Sequence, residues 1–493
     1  MVLPVLDKYE ALRARRRVRH QERHYAGDRQ EPGRPVGVDC LGEIKHIVIL
    51  MMENHSYDNY FGTLERGDGF PMEQGDPIDP YGNRRLHGEP VALHHLESTI
   101  QRTKIPSQSW SASHIQWNGG ALDGFARSVE VAEPTRASEA DYSMGYWSNV
   151  DLPFYHSLAN TFPLATRWFS SCLGPTFPNR RFLIAGTAHG LIDDRLSSCY
   201  DEPPAGTIFD LLTAHGISWA NYHNKPRWKT LAKALFGRTG HSMGRRALPY
   251  LSSLLPMFKN FATSDFQFCA DLFPREILRT FNHAPPLADF FKAAAQGTLP
   301  AVSFVDPDYG SFSEENPQDI RLGEGFASEV INSVMRGPGW PGTLLIWLYD
   351  EHGGYYDHVA PPVAVAPDDV LGSSLPERFP FLRRLPFLRR YVAQYDMSDS
   401  GPRTYDHYGF RVPAVIVSPY AKRDFVMDTV FDHTSILKLI ERKWNLPSLT
   451  LRDHAAVAPL EALDFNSPPA FLDPPTLSDP ATPFHLASLD KSL

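Results

Sequence analysis

Short uninterrupted apolar runs punctuate an otherwise mixed chain. Ile47-Val-Ile-Leu-Met-Met52, Ala301-Val-Ser-Phe-Val305, Thr343-Leu-Leu-Ile-Trp-Leu348 and Val412-Pro-Ala-Val-Ile-Val417 are each five or six residues long and rich in β-branched and aromatic side chains. Runs of this length without alternation suit strands covered on both faces, as in a parallel sheet. Ile217-Ser-Trp-Ala-Asn-Tyr222 is a weaker fifth candidate. Between them, Thr207-Ile-Phe-Asp-Leu-Leu-Thr-Ala-His215 and Pro286-Leu-Ala-Asp-Phe-Phe-Lys-Ala-Ala-Ala295 read as helices. Strands alternating with helices predict an α/β fold with a largely parallel central sheet flanked by helices.

Polar and turn-rich stretches interrupt that pattern. A basic lead-in covers residues 1–40, the main domain 41–465, and a Pro-rich tail 466–493. Within the main domain, segments at about 64–110, 225–264 and 367–400 read as insertions. The second holds eight Lys and Arg residues and no acid, and its Trp228-Lys-Thr-Leu-Ala-Lys-Ala-Leu-Phe236 portion has the pattern of a basic amphipathic helix. The third carries a small repeat, Pro380-Phe-Leu-Arg-Arg384 and Pro386-Phe-Leu-Arg-Arg390.

Composition narrows the function classes. Forty-three prolines and 34 glycines in 493 residues imply many turns and long connections. A net charge of −9 argues against a general nucleic-acid binder. No run approaches the roughly 20 apolar residues of a membrane-spanning helix, so none is expected. Arg13-Ala-Arg-Arg-Arg-Val-Arg19 is not followed by an apolar segment, so no signal peptide is visible; a cytoplasmic location and export by another route both stay open. Cys40, Cys172, Cys199 and Cys269 form no C-x-x-C pair, which disfavours a thiolate zinc site. Free buried thiols are expected, with one or two disulfides the alternative.

In open α/β sheets, ligands bind beyond the carboxyl ends of the strands. The residues just after the apolar runs are acidic: Glu53-Asn54 after the first, Asp306-Pro-Asp308 after the second, Asp350-Glu351 after the third, with Asp357-His358 close behind. Taken singly, each acid can cap a helix or end a strand. Together they repel one another unless a cation binds between them, and an amide oxygen among carboxylates suits a divalent ion such as Mg²⁺, Ca²⁺, Mn²⁺ or Zn²⁺. A hydroxyl candidate lies in Gly174-Pro-Thr-Phe-Pro-Asn-Arg-Arg181, where Pro178 marks the first turn of a helix and Thr176 lies just ahead of it. Thr176 there is either a simple N-cap or a nucleophile held by metal, with Asn179 and Arg180 as phosphate donors. His114, His358 and His407 are candidate proton donors and phosphate contacts.

Four ordered segments resemble the bacterial phosphoesterase family, which includes non-haemolytic phospholipases C and acid phosphatases. They are Glu53-Asn-His-Ser-Tyr-Asp-Asn-Tyr-Phe-Gly62, Asn118-Gly-Gly, Gly174-Pro-Thr-Phe-Pro-Asn-Arg180 and Tyr349-Asp-Glu-His-Gly-Gly-Tyr-Tyr-Asp-His-Val359. The likeness runs from about Ile44 to Leu446. It implies a fold related to alkaline phosphatases and a metal held by Glu53, Asn54, Asp350 and Glu351. It also implies Thr176 as a nucleophile that forms a phospho-enzyme, and His114 as a phosphate contact. The chain departs from the family at Glu314-Glu-Asn-Pro317, where Asn316 stands in place of an expected histidine. Asn can donate a hydrogen bond to substrate but cannot act as a general acid, which leaves His358 and His407 as candidates. The expected activity is phospholipase C on phospholipids, with peripheral membrane contact. The alternatives are an acid phosphatase on small soluble esters and a catalytically weak phosphate-binding protein.

Overall fold

Each long apolar run becomes a strand, and most are buried along their whole length. The computed structural model describes residues 11–12, 14–15, 29–194, 203–224, 283–374, 377, 401–486 and 489. The basic 225–264 segment and the twin Pro-Phe-Leu-Arg-Arg units lie outside these residues. The central sheet has seven strands: β1 (His46–Met52), β2 (Leu164–Ala165), β3 (Trp219–Tyr222), β4 (Val302–Val305), β5 (Thr343–Tyr349), β6 (Ala414–Val417) and β7 (Val426–Met427), in the order β7-β2-β6-β5-β1-β4-β3. β1 lies between β4 and β5 and is parallel to both, with Ile47 opposite Val302 and Leu344. β3 continues the parallel set beside β4, whereas β6 runs antiparallel to β5 and β2. The sheet is thus mostly parallel. The two-residue strands β2 and β7 have no apolar run long enough to announce them.

Seven helices matter below: α1 (Tyr57–Phe61), α2 (Trp110–Trp117), α3 (Thr176–Ala185), α4 (Ile208–Ala214), α5 (Leu287–Gln296), α6 (Ile320–Arg336) and α7 (Thr434–Trp444). α4 starts at a capping box in which Thr207 and Asp210 satisfy each other's backbone donors. α5 follows Pro286 and ends at Gly297, whose φ of 66° suits a left-handed cap. α3 packs against α7 and α5 against α6, while the strands they cover are almost fully buried. Residues near the C-terminus lie on the core: Trp340 Nε1 donates to Phe471 O at 2.9 Å, and Phe484 packs between Phe312 and Phe326. No helix among the described residues is long and apolar enough to cross a membrane. Cys40 is a half-buried free thiol and Cys172 a fully buried one; Cys199 and Cys269 fall outside the described residues.

Candidate active site

The two acidic pairs meet because β1 and β5 are hydrogen-bonded neighbours that end at the same level. Asp350 N–H donates to Met52 O at 3.1 Å, one residue beyond the ladder. Asn54 takes a left-handed turn, with φ 73°, and its N–H donates to Asp350 Oδ1 at 3.2 Å. The Glu351 N–H reaches the same oxygen at 2.7 Å, and Gly353 N–H donates to Glu351 Oε2 at 2.7 Å. Gly353 must be glycine: a Cβ there would lie 1.9 Å from the Asn54 carbonyl, and its φ is 67°.

Burial, followed by the charge of Asp350 beside it, drives the Glu351 carboxyl well above the usual range; Glu53 and Asp194 push the same way. Burial also raises Asp350, against the opposing Arg180 guanidinium. Two buried oxygens in this group, Asn54 Oδ1 and Glu351 Oε1, have no hydrogen-bond donor. Unsatisfied oxygens beside mutually repelling carboxylates are the environment a hard divalent cation relieves. The set fits such an ion as a mixed group of amide and carboxylate oxygens. No cluster of three or more His, Cys, Asp and Glu ligands occurs among the described residues.

α3 brings Thr176 to this edge. The helix begins at Thr176, with Pro175 the cap and Pro178 in its first turn, so Thr176 is its first residue instead of lying just ahead of it. Arg180, four residues on and on the same face, donates from Nε to Asp350 Oδ2 at 3.2 Å and from Nη1 to Asp306 Oδ1 at 3.1 Å. Arg180 is fully buried, and its guanidinium pairs with two strand-end acids, tying the start of α3 to β4 and β5. Asp306 also accepts from Asn221 Nδ2 at 3.0 Å. Asn179 likewise turns inward, its amide nitrogen bonded to the carbonyls of Gly174 and Pro175 and its Oδ1 to Cys172 N–H. It thereby shapes the loop before Thr176.

The histidines separate into two places. His114, on α2, donates from Nδ1 to Trp110 O at 2.7 Å, and burial lowers its basicity. The Trp110 ring covers Gly174, two residues before Thr176. α2 is also tied to the acidic loop, because His352 Nε2 meets Gln116 Oε1 at 2.7 Å. His407 and His114 both contact Trp117, the His407 ring 4.8 Å and the His114 ring 6.4 Å from the indole, and His407 Nδ1 lies 3.0 Å from Asp406. His358 is elsewhere. Its Nδ1 lies 2.6 Å from Asp58 Oδ2, within a buried network in which Arg411 pairs with both Asp58 and Asp357 at 2.9 Å. Burial alone would lower its pKa, but Asp58 overcomes this and holds it at about 9. His358 is thus held as a cation in the Asp58–Asp68–Arg411 network, apart from the residues gathered around Asp350. A surface basin of about 790 Å³ lies beside that network, bounded in part by Asp68, Arg167 and Asp428, and no member of the Thr176 group lines it. Asn316 is also structural, since its amide donates to the carbonyls of Arg102 and Ile105.

Two residues that carried no signal in the sequence complete the site. His433, ahead of α7, donates from Nε2 to Asp350 O at 2.6 Å; burial lowers its pKa to about 4, and its Nδ1 has no partner. Asp194 accepts from the Phe177 N–H at 2.8 Å. Neither follows an apolar run, so only the folded chain brings them in.

Residues 44–447 match the Phosphoesterase family. The chain belongs to the Phosphoesterase family. It is accordingly a hydrolase of phosphate esters. It is 30% identical to phospholipase C B of Mycobacterium tuberculosis over 465 residues, covering 87% of this chain and 79% of that one. It is 28% identical to a hemolytic phospholipase C of Pseudomonas aeruginosa, covering 82% of this chain and 53% of the other. Against non-specific phospholipase C1 of Arabidopsis thaliana the identity is 27%, with 84% and 69% covered. A solved structure of a protein in the alkaline phosphatase superfamily from Vibrio parahaemolyticus overlaps it at a TM-score of 0.35 and 10% identity, covering 87% of this chain and 72% of that one.

Proposed function

We propose that this phosphoesterase is a phospholipase C that cleaves phospholipids through Thr176. The observation that carries the reading is the pair of donor-less buried oxygens, Asn54 Oδ1 and Glu351 Oε1, at the edge where Arg180 anchors the Thr176 helix. Glu53, Asn54, Asp350, Glu351 and the Thr176 hydroxyl are the groups that would hold a divalent cation. Such an ion offsets the carboxylate charge and favours the alkoxide form of a bound hydroxyl. Thr176 Oγ1 attacks phosphorus, the bond to the glyceride oxygen breaks, and that oxygen leaves with a proton as diacylglycerol. Water then attacks the phosphothreonine and releases the phosphorylated head group, restoring the threonine. His114 and His407, which both contact Trp117, are the histidines assigned here to contact phosphate or move the leaving-group proton.

Lipid as substrate is supported by the names of the relatives and by surface chemistry. Val363, Val365, Leu371 and Leu451 are exposed aliphatic side chains, and Leu451 N–H meets Pro367 O at 3.4 Å, which brings their two segments together. The deciding assay compares phosphatidylcholine vesicles, p-nitrophenyl phosphorylcholine and p-nitrophenyl phosphate, each with and without chelator. Chelator-sensitive cleavage of the two diesters is expected. Cleavage of the monoester alone would replace the lipase by a phosphatase, and cleavage of none by metal-replete protein would remove the catalytic assignment.

A further inference from the structure

The amide next to the proposed nucleophile is already occupied by a carboxylate. Phe177 is the second residue of α3, and its N–H, which has no acceptor within the helix and is favourable for a phosphoryl oxygen, donates instead to Asp194 Oδ1 at 2.8 Å. Asp194 is held in place by the short segment that carries it. Leu191 bridges to Ser373, and Ile192 packs on Gly372, where a Cβ would come within 2.5 Å of its side chain. Asp194 is only half-buried, and it adds to the charge felt by Glu351, so its carboxylate belongs to the same electrostatic unit as Glu53 and Asp350.

We propose that Asp194 is a specificity-determining residue that selects phosphodiesters over phosphomonoesters by charge. This rests on the Thr176 reading above. A phosphomonoester carries about −1.5 to −2 charges near neutral pH and a diester only −1. Repulsion from a fixed carboxylate scales with substrate charge and is strengthened where water is excluded. Asp194 also takes a donor that the extra anionic oxygen of a monoester would use. A cation in the site attracts the monoester more strongly than the diester and so sets the baseline preference; the contribution of residue 194 is read as the change in that preference when its charge is removed. The discrimination belongs to the charge of residue 194 and survives a change in side-chain length.

The test uses the full-length, metal-replete protein and two aryl esters of equal leaving group, p-nitrophenyl phosphate and methyl p-nitrophenyl phosphate. Asp194→Asn is expected to raise the monoester-to-diester ratio of kcat/KM about tenfold or more, mainly through the monoester KM, a change of about 1.4 kcal/mol. It should also strengthen competitive inhibition by inorganic phosphate. Asp194→Glu, which keeps the charge, should leave the ratio within about threefold of the original. Asp194→Ser makes the same comparison should the Asn variant fail to fold. An unchanged ratio in a folded, uncharged variant, or an equal shift in Asp194→Glu, would overturn the proposal. Absence of turnover on either ester by the unsubstituted protein would instead overturn the underlying phosphoesterase site.

Discussion

Thr176 and Arg180 stand one helical turn apart, yet substitutions at them should fail in different ways. Thr176→Ala removes the attacking oxygen, so kcat should fall by about a thousandfold or more while the thermal midpoint and metal content change little. Turnover near the original level in that variant would exclude Thr176 as nucleophile. Arg180→Met leaves Asp306 and Asp350 buried and uncompensated, and loss of one partner from such a group costs about 3–5 kcal/mol. Chemical denaturation should register that loss. An Arg180 variant of unchanged stability with a raised KM would instead return the guanidinium to phosphate binding. Glu351→Gln removes one charge from the acidic group and should weaken metal retention, as read by elemental content after dialysis.

Two loops, 53–54 and 350–354, form the site only because one glycine lets them touch. Gly353→Ala sets a methyl group against the Asn54 carbonyl at a left-handed φ, so turnover should drop even though residue 353 has no chemical role. Unimpaired turnover would show that the two loops move independently. A second interior element responds to pH. Glu314 is buried under three tyrosine hydroxyls, those of Tyr60, Tyr155 and Tyr349, at 2.5–2.6 Å. Burial pushes its pKa up to about 8, although the tyrosines pull it back. The folded protein thus holds a proton that the unfolded chain has released above about pH 4.5. Stability should fall as pH rises from about 4.5 to about 8 and level off beyond, by a few kcal/mol at most. Glu314→Gln should flatten that slope in denaturation curves taken across the range; an unaltered slope would assign it to other groups.

Across the whole molecule, the site joins β1, β5, α3 and the start of α7, so an ion bound there stabilises only the folded state. Chelation should lower the thermal midpoint of the unsubstituted protein and have less effect on Glu351→Gln. The apolar runs at 47–52, 301–305, 343–348 and 412–417 were enough to establish an α/β protein, because buried parallel strands need continuous apolar character and little else. The acids directly after them were legible for the same reason: a strand's end is a sequence position as well as a place. The two-residue strands were not legible, since their pairing comes from neighbours distant in the chain. Side-chain direction was also beyond the sequence. Arg180, Asn316 and His358 each sit in or near a motif, but their donors are drawn to carbonyls and carboxylates from other segments, which is stronger than any local preference. His433 and Asp194 enter the site by the same physics in reverse. The sequence by itself determined the strands and their acidic ends; tertiary packing decided which polar groups pair with one another in the interior, because a buried charge must find its counterpart wherever the chain brings one.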